Sequence, residues 1–143
     1  MSRLPIYFFS EDISFTLKDK TLIRNWIKNT ITSEGKKLKE LNIIFCSDNY
    51  LLEINKQYLN HNTFTDIVTF DNSESSGSIS GDVFISIERI RENASKFKVP
   101  ERDELHRVLI HGTLHLLGYK DKTKVHKTLM TKKEDQYLEL RGF

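Results

Sequence analysis

The sequence has little that would crosslink the chain or anchor it in a membrane. Cys46 is the only cysteine among 143 residues, so no disulfide can form within the chain. No apolar run approaches the roughly 20 residues that a membrane-spanning helix needs. Residues 1–10 include Pro5 and lack the long apolar core and small-residue cleavage site of a secretory signal. We therefore expect a cytoplasmic protein that does not contact a membrane, with Cys46 as a small buried hydrophobe.

The net charge is also small. The 22 lysines and arginines exceed the 20 aspartates and glutamates by +2, which does not by itself identify a nucleic-acid-binding protein. Six lysines nevertheless crowd one C-terminal segment: Lys120, Lys122, Lys124, Lys127, Lys132 and Lys133. Such a group would attract a phosphodiester backbone, and it is equally typical of a solvated helix face.

The length, without repeats or a long linker, predicts one domain over residues 1–143.

Residues 111–121 contain a pattern typical of a metal site. His111 and His115 are four apart, so on a helix both imidazoles lie on one face and can reach a single ion. Gly118 can end that helix, because glycine accepts the left-handed backbone that reverses the chain. The reversal would return Asp121 as a third, oxygen ligand. Three protein ligands leave one position of a zinc ion open, which is the mark of a catalytic site.

The same helix lacks one residue that zinc peptidases have. Their His-Glu-x-x-His pattern places a glutamate beside the first ligand as general base, and this chain has Gly112 there. The spacing otherwise follows the longer metzincin form. The sequence therefore predicts a metzincin-like metal helix in a metal-dependent hydrolase whose general base is unassigned. The alternative is a pair of ordinary histidines on a partly buried helix.

Several other segments add to this pattern. Residues 111–121 follow the order His-Gly-x-Leu-His-Leu-x-Gly-Tyr-Asp-His except near the end, and Met130 and Glu134 follow at matching positions. Residues 65–70 are similar to Pro-Thr-Asp-Val-Leu-Ser-Phe, and residues 81–85 to a Gly-Asp-Ile strand. Asn55 and Tyr58 also fit. With these motifs, nearly the whole chain resembles the YbeY family of bacterial endoribonucleases, which act in ribosomal RNA maturation.

Two positions depart from the family pattern. Asp121 stands where the family has its third histidine, and a carboxylate is an adequate replacement as a zinc ligand. The resemblance thus implies one Zn²⁺ ion, or another divalent metal, held by His111, His115 and Asp121, with His126 as the alternative third ligand. Leu59 stands where the family has a functional arginine suited to phosphate binding. His61 is the nearest residue able to supply a donor instead.

The resemblance also implies a function and further site residues. It places Thr65 and Asp66 close to the cleft, where Asp66 could orient a ligand histidine, and with His61 they are the candidate catalytic residues. The implied activity is zinc-dependent, single-strand-specific RNA cleavage in rRNA processing, including 16S rRNA 3′-end maturation and ribosome biogenesis. The implied partners are rRNA and the small ribosomal subunit, and no DNA.

Two other functions compete with this one. A zinc metallopeptidase would share the ligand spacing but would need the missing glutamate. A non-catalytic, ribosome-associated RNA-binding protein with a structural metal is favoured by Leu59. In the nuclease, either a metal-activated water or the RNA 2′-hydroxyl attacks phosphorus, and the sequence does not decide between them.

Apolar periodicity predicts an α+β fold, with a small mixed four-stranded sheet covered by helices and the metal at one rim. The strands are expected at residues 6–9, 41–46, 67–70 and 83–87, the last two as a hairpin. Alternation at Ile13, Phe15 and Leu17 predicts an extension of the first strand or a second short one. Five helices are expected. The first is capped by Asp19 or Thr21, and its expected buried residues are Leu22, Ile23, Trp26, Ile27 and Ile31. The others are a helix capped by Ser47, one over residues 87–97, the metal helix from Glu101, and one over residues 124–140.

Overall fold

A four-stranded mixed sheet forms the centre of the fold in the computed structural model, which describes residues 4–143. Its strands are β1 (Ile6–Ser10), β2 (Lys37–Cys46), β3 (Ile67–Asp71) and β4 (Ser78–Ser86). Their order is β1-β2-β4-β3, with β1, β2 and β4 parallel and β3 antiparallel to β4. The expected mixed sheet and the expected hairpin are both confirmed.

Within residues 4–143, five helices pack around the sheet. They are α1 (Lys20–Ser33), α2 (Asp48–Leu59), α3 (Ile87–Phe97), α4 (Glu101–Leu116) and α5 (Lys124–Glu139). Ser47 caps α2, as its position predicts, because its hydroxyl accepts a hydrogen bond from the Tyr50 N–H. Asp19 precedes α1 with a left-handed backbone (φ 61°) and makes no capping bond through its side chain.

Four expectations about the strands and the buried face of α1 were wrong. Residues 11–19 form no strand, because the alternation there reflects loop side chains that pack on the core: Leu17 is buried and the Phe15 ring lies 4.8 Å from that of Phe45. Leu22 is 48% exposed, outside the buried face of α1. Ile87 belongs to α3 instead of β4, and β4 begins earlier, so the hairpin loop spans only residues 72–77.

Helix α4 lies against the sheet at a point where its backbone comes very close. The buried residues of α4 include Leu105, Val108, Leu109, Gly112 and Leu116. A Cβ atom at Gly112 would lie 2.7 Å from Ile67 Cδ1 and 3.3 Å from Val83 Cγ1. Only glycine allows this approach without displacing the sheet side chains. The close contact fixes the height of the metal helix above β3 and β4.

The remaining expectations about the core also agree with the structure. Cys46 is fully buried, and burial, followed by the charges of Asp12 and Asp48, raises the pKa of its thiol to about 12. The thiol is therefore a packing group and not a nucleophile.

Across residues 4–143, every helix is too short or too polar to cross a membrane.

Candidate metal centre

The end of α4 reverses the chain through Gly118. Its φ is +106°, and its N–H donates to the carbonyl of His115 at 3.0 Å. The N–H of Tyr119 donates to the carbonyl of Leu114, also at 3.0 Å, which completes a Schellman motif. The expectation that Gly118 ends the helix is confirmed. The turn leads residues 119–121 back towards the histidine face of α4.

Three potential ligand atoms meet beside this turn. Asp121 Oδ2 lies 3.2 Å from His111 Nε2 and 3.3 Å from His115 Nε2, and the two Nε2 atoms are 3.0 Å apart. Metal–ligand bonds of about 2.0–2.1 Å put neighbouring ligands of a tetrahedral zinc site about 3.3 Å apart. The spacing of the three atoms and their nitrogen and oxygen chemistry therefore fit one zinc-sized cation. Within residues 4–143 this group includes neither His61 nor His126.

Each histidine is oriented by a contact on its other ring nitrogen. Glu134 Oε2 lies 2.6 Å from His111 Nδ1, and the Tyr119 carbonyl oxygen lies 3.1 Å from His115 Nδ1. Both acceptors favour a proton on Nδ1, which leaves the Nε2 lone pairs facing Asp121. Burial, followed by the proximity of His111, lowers the pKa of His115, so the neutral imidazole that binds metals is favoured.

The orienting carboxylate is Glu134, whereas the sequence suggested Asp66. Asp66 instead lies 3.7 Å from Arg107, and burial raises its pKa although Arg107 opposes that rise. The sequence did mark Glu134 as part of the family pattern. It gave no sign of the contact with His111, because the two residues are 23 positions apart.

Arg107 of α4 contacts the carboxylates of Glu104, Glu134 and Asp66. Its guanidinium donates to both oxygens of buried Glu104, at 2.9 and 2.7 Å, and to Glu134 Oε1 at 3.4 Å. These hydrogen bonds to Glu104 raise the pKa of Arg107 above its usual range. Glu104 lies in the first turn of α4, where a carboxylate favours the positive end of the helix dipole, and it is the buried partner of Arg107. The network connects α4, α5 and the segment before β3.

The other predicted site residues lie on the segment between α2 and β3. His61 is exposed, and its backbone N–H donates to the carbonyl of Asn55. The Thr65 hydroxyl donates to the Ile67 carbonyl at 3.4 Å. Leu59 ends α2 and is exposed. The segment is joined to the metal helix through Asp66 and Arg107, so His61 and Thr65 stay candidates.

Five of the six clustered lysines, which flank and follow Asp121, are exposed: Lys120, Lys122, Lys124, Lys127 and Lys132. We call these five the lysine rim. Lys133 is different, because its ammonium group donates to Glu34 at 3.2 Å and lies 5.6 Å from the centre of the Tyr119 ring. It therefore helps to pack the domain instead of extending the rim.

Gly112 occupies the position of the peptidase glutamate, and in this fold a side chain at that position could not act as a general base. Gly112 faces Ile67 and Val83 of the sheet, whereas the potential ligand atoms lie on the flank of α4. A glutamate there would point into the apolar core, where its carboxylate has no access to a water at the metal. This geometry argues against the metallopeptidase alternative.

Comparison with known proteins identifies the family. The sequence model of the family described as Endoribonuclease YbeY matches residues 6–142. The chain belongs to this family. A protein from Cytophaga hutchinsonii named Endoribonuclease YbeY is 50% identical over 143 residues, which cover 100% of both chains. One from Flavobacterium psychrophilum with the same name is 54% identical over 132 residues, 92% of this chain and 94% of the relative.

A solved structure agrees with the fold. The solution structure of TM1509 from Thermotoga maritima has a TM-score of 0.66 and 26% sequence identity, and the match covers 95% of this chain and 88% of that one. The resemblance inferred from residues 111–121 and the upstream motifs is thereby confirmed, as is the α+β fold class.

Proposed function

We propose that the protein is a metal-dependent endoribonuclease, an RNA-cleaving hydrolase that acts in rRNA processing. The observation that carries this proposal is the convergence of His111, His115 and Asp121 on one cation-sized space, in a chain of the endoribonuclease YbeY family. The three side chains use three positions of a tetrahedral ion and leave one for substrate or water. Because the family is one of endoribonucleases, the bonds that we expect the protein to cleave are internal phosphodiester bonds of RNA.

Zn²⁺ is the metal that best suits these residues. Two imidazoles and one carboxylate match the nitrogen and oxygen set of catalytic zinc, whereas Mg²⁺ prefers oxygen ligands and retains several waters. A bound zinc ion supplies Lewis-acid chemistry for the scissile phosphate. Glu134 and the Tyr119 carbonyl would hold the two imidazoles in the tautomer that presents Nε2 to the ion.

The surroundings of the cluster suit an RNA substrate. The lysine rim follows the ligands directly and would bind the phosphate backbone. His61, Thr65 and Asp66, on the segment between α2 and β3, are the proposed catalytic residues, and His61 would supply a donor that Leu59 cannot. We propose single-stranded rRNA, including the 3′ end of 16S rRNA, as substrate, with the small ribosomal subunit as partner in the cytoplasm.

The proposal is tested by cleavage of a labelled single-stranded RNA and of the same RNA as a duplex. The protein is stripped with a chelator and assayed before and after zinc is restored. We expect zinc-dependent cuts in the single strand, lost in His111→Ala and kept in His126→Ala. RNA cleavage by His111→Ala at the wild-type rate would overturn the proposal. So would digestion of casein by the zinc-loaded wild type that is lost in His111→Ala.

One observation favours a second function. Leu59 replaces the family arginine, which would suit a non-catalytic RNA-binding protein whose metal braces the end of α4. That function predicts that His115→Ala lowers the melting temperature while bound RNA stays intact with both the variant and the wild type. The same cleavage assay, accompanied by a thermal melt, therefore separates the two functions.

A further inference from the structure

Four side chains from three parts of the chain meet at the end of α1, away from the ligand atoms. Glu34 follows the last residue of α1, and its side chain is 14% exposed. The Tyr119 hydroxyl donates to Glu34 Oε1 at 2.5 Å, and the Tyr137 hydroxyl donates to Oε2. Lys133 Nζ donates to Oε2 at 3.2 Å. Nothing in the proposed reaction uses this carboxylate directly.

The Glu34 carboxylate is held in its charged form. Burial raises its pKa, but hydrogen bonds from Tyr119, Tyr137 and Lys133 outweigh burial and hold the pKa below its usual value. Hydrogen bonds to an ionised acceptor are about twice as strong as neutral ones. Glu34 is therefore a firm attachment point for the residues that donate to it.

Tyr119 connects this attachment point to the metal centre. Its hydroxyl binds Glu34, its carbonyl accepts from His115 Nδ1, and its N–H closes the Schellman turn on Leu114. Asp121 follows two residues later. Both the orientation of one ligand and the place of another thus depend on how Tyr119 is held.

The third ligand has few other restraints. The side chain of Asp121 is 36% exposed, and its neighbours Lys120 and Lys122 are exposed as well. Two residues, Lys122 and Thr123, separate Asp121 from the first residue of α5. With so little packing of its own, the carboxylate takes its position from the turn that precedes it.

We propose that Glu34 is a positioning residue of the metal centre, acting through the Tyr119 hydroxyl to fix the turn that carries Asp121 and orients His115. This inference rests on the proposed function, because it concerns the same three-ligand site. It assigns a role in metal affinity to the residue that follows α1, a helix that contributes no ligand.

Zinc affinity, measured by competition with a chromophoric chelator, tests the proposal. Tyr119→Phe removes only the hydroxyl, and Glu34→Gln removes the charge while keeping the shape. Both should weaken zinc binding about 10-fold, the lower end of the effect of outer contacts on metal sites. The visible absorption spectrum of the Co²⁺-loaded variants should change as well, because it reports ligand geometry. Tyr137→Phe is the matched control, since it removes a hydrogen bond from the same carboxylate without touching the turn.

The outcomes separate this inference from the proposed function. The double variant Glu34→Gln with Tyr119→Phe should bind zinc no more weakly than Tyr119→Phe alone, because both changes break one connection. Wild-type affinity and an unchanged Co²⁺ spectrum in Tyr119→Phe would overturn the inference, as would an equal loss in Tyr137→Phe. Those results would leave the metal site itself intact. A wild-type protein that binds no zinc would overturn the site and the inference together. If Glu34→Gln fails to fold, Tyr119→Phe alone decides.

Discussion

The carboxylate of Glu134 lies 2.6 Å from Nδ1 of His111, and the two residues come from different helices. Glu134 is 5% exposed, and its second oxygen receives a hydrogen bond from Arg107. A buried carboxylate is stabilised by such a cation, and a fixed carboxylate can in turn fix an imidazole. The metal helix is thus oriented by α5 as well as by its own packing on the sheet.

Glu134→Gln should therefore weaken metal binding while the three ligands remain present. The amide keeps the size of the side chain but loses the charge that holds the Nδ1 proton of His111. We expect zinc affinity to fall about 10- to 100-fold, measured by chelator competition. Asp135→Asn, an exposed neutralisation at the next position of α5, is the control and should bind zinc as the wild type does. Equal affinity in the two variants would contradict the orienting role of Glu134.

Gly112→Ala should destabilise the fold. The added methyl group would meet Ile67 Cδ1 at 2.7 Å, so the side chain or the helix must shift. Overpacking costs about 1–3 kcal/mol, and the higher helix propensity of alanine offsets up to about 1 kcal/mol of that, so we expect a net loss of about 0.5–2 kcal/mol in urea unfolding. Gly77→Ala is the matched control, because a Cβ there has no neighbour within 4 Å. A Gly112→Ala protein as stable as the Gly77→Ala protein would show that the approach of α4 to the sheet is not tight.

His106 should make stability depend on pH. Burial, followed by the charges of Arg102 and Arg141, lowers its pKa from 6.5 to about 4, although Asp103 and Asp19 oppose the shift. The unfolded chain therefore takes up the proton first. The contribution of His106 is complete above pH 6.5 and is lost as the pH falls from 6.5 towards 4, by roughly 3 kcal/mol in all.

This slope can be measured by urea unfolding of the metal-free protein at several pH values. His106→Gln can still accept the hydrogen bond that Arg141 donates to Nδ1 at 2.8 Å, but it does not titrate. The difference in unfolding free energy between the two proteins should thus shrink or reverse as the pH falls. Parallel pH profiles would show that His106 is protonated as easily in the folded state as in the unfolded one.

The lysine rim should appear in the salt dependence of RNA binding. Lys127→Gln removes one exposed cation from the start of α5, six residues after Asp121, whereas Lys20→Gln removes one at the start of α1, near the other end of α4. The slope of log affinity against log salt should fall by about 0.7 for each lost phosphate contact on single-stranded RNA. An unchanged slope in Lys127→Gln, or an equal change in both variants, would argue that these lysines only solvate α5.

The ligand group could be predicted from the sequence because its geometry is local. His111, His115, Gly118 and Asp121 lie within eleven residues, and helix periodicity and glycine conformation determine how they meet. The sheet and its helices also follow from apolar periodicity, and the start of α2 follows from the capping residue Ser47. Such local rules extend over one or two turns.

The contacts that orient the ligands could not be predicted in this way. Glu134 reaches His111 across 23 positions, and Tyr119 reaches Glu34 across 85. No spacing rule connects residues from elements so far apart in the chain, so their meeting depends on tertiary packing. The alternation at Ile13, Phe15 and Leu17 failed for a related reason, because a loop that packs on the core produces the same pattern as a strand.

The zinc content of purified Asp121→Ala beside His126→Ala tests the central claim most directly. His126 lies in the first turn of α5 and outside the cluster formed by His111, His115 and Asp121. The three-ligand site predicts one zinc ion per chain in the wild type and in His126→Ala, and a loss of most bound zinc in Asp121→Ala. Full zinc content in Asp121→Ala, with loss in His126→Ala, would contradict it and transfer the third ligand to α5.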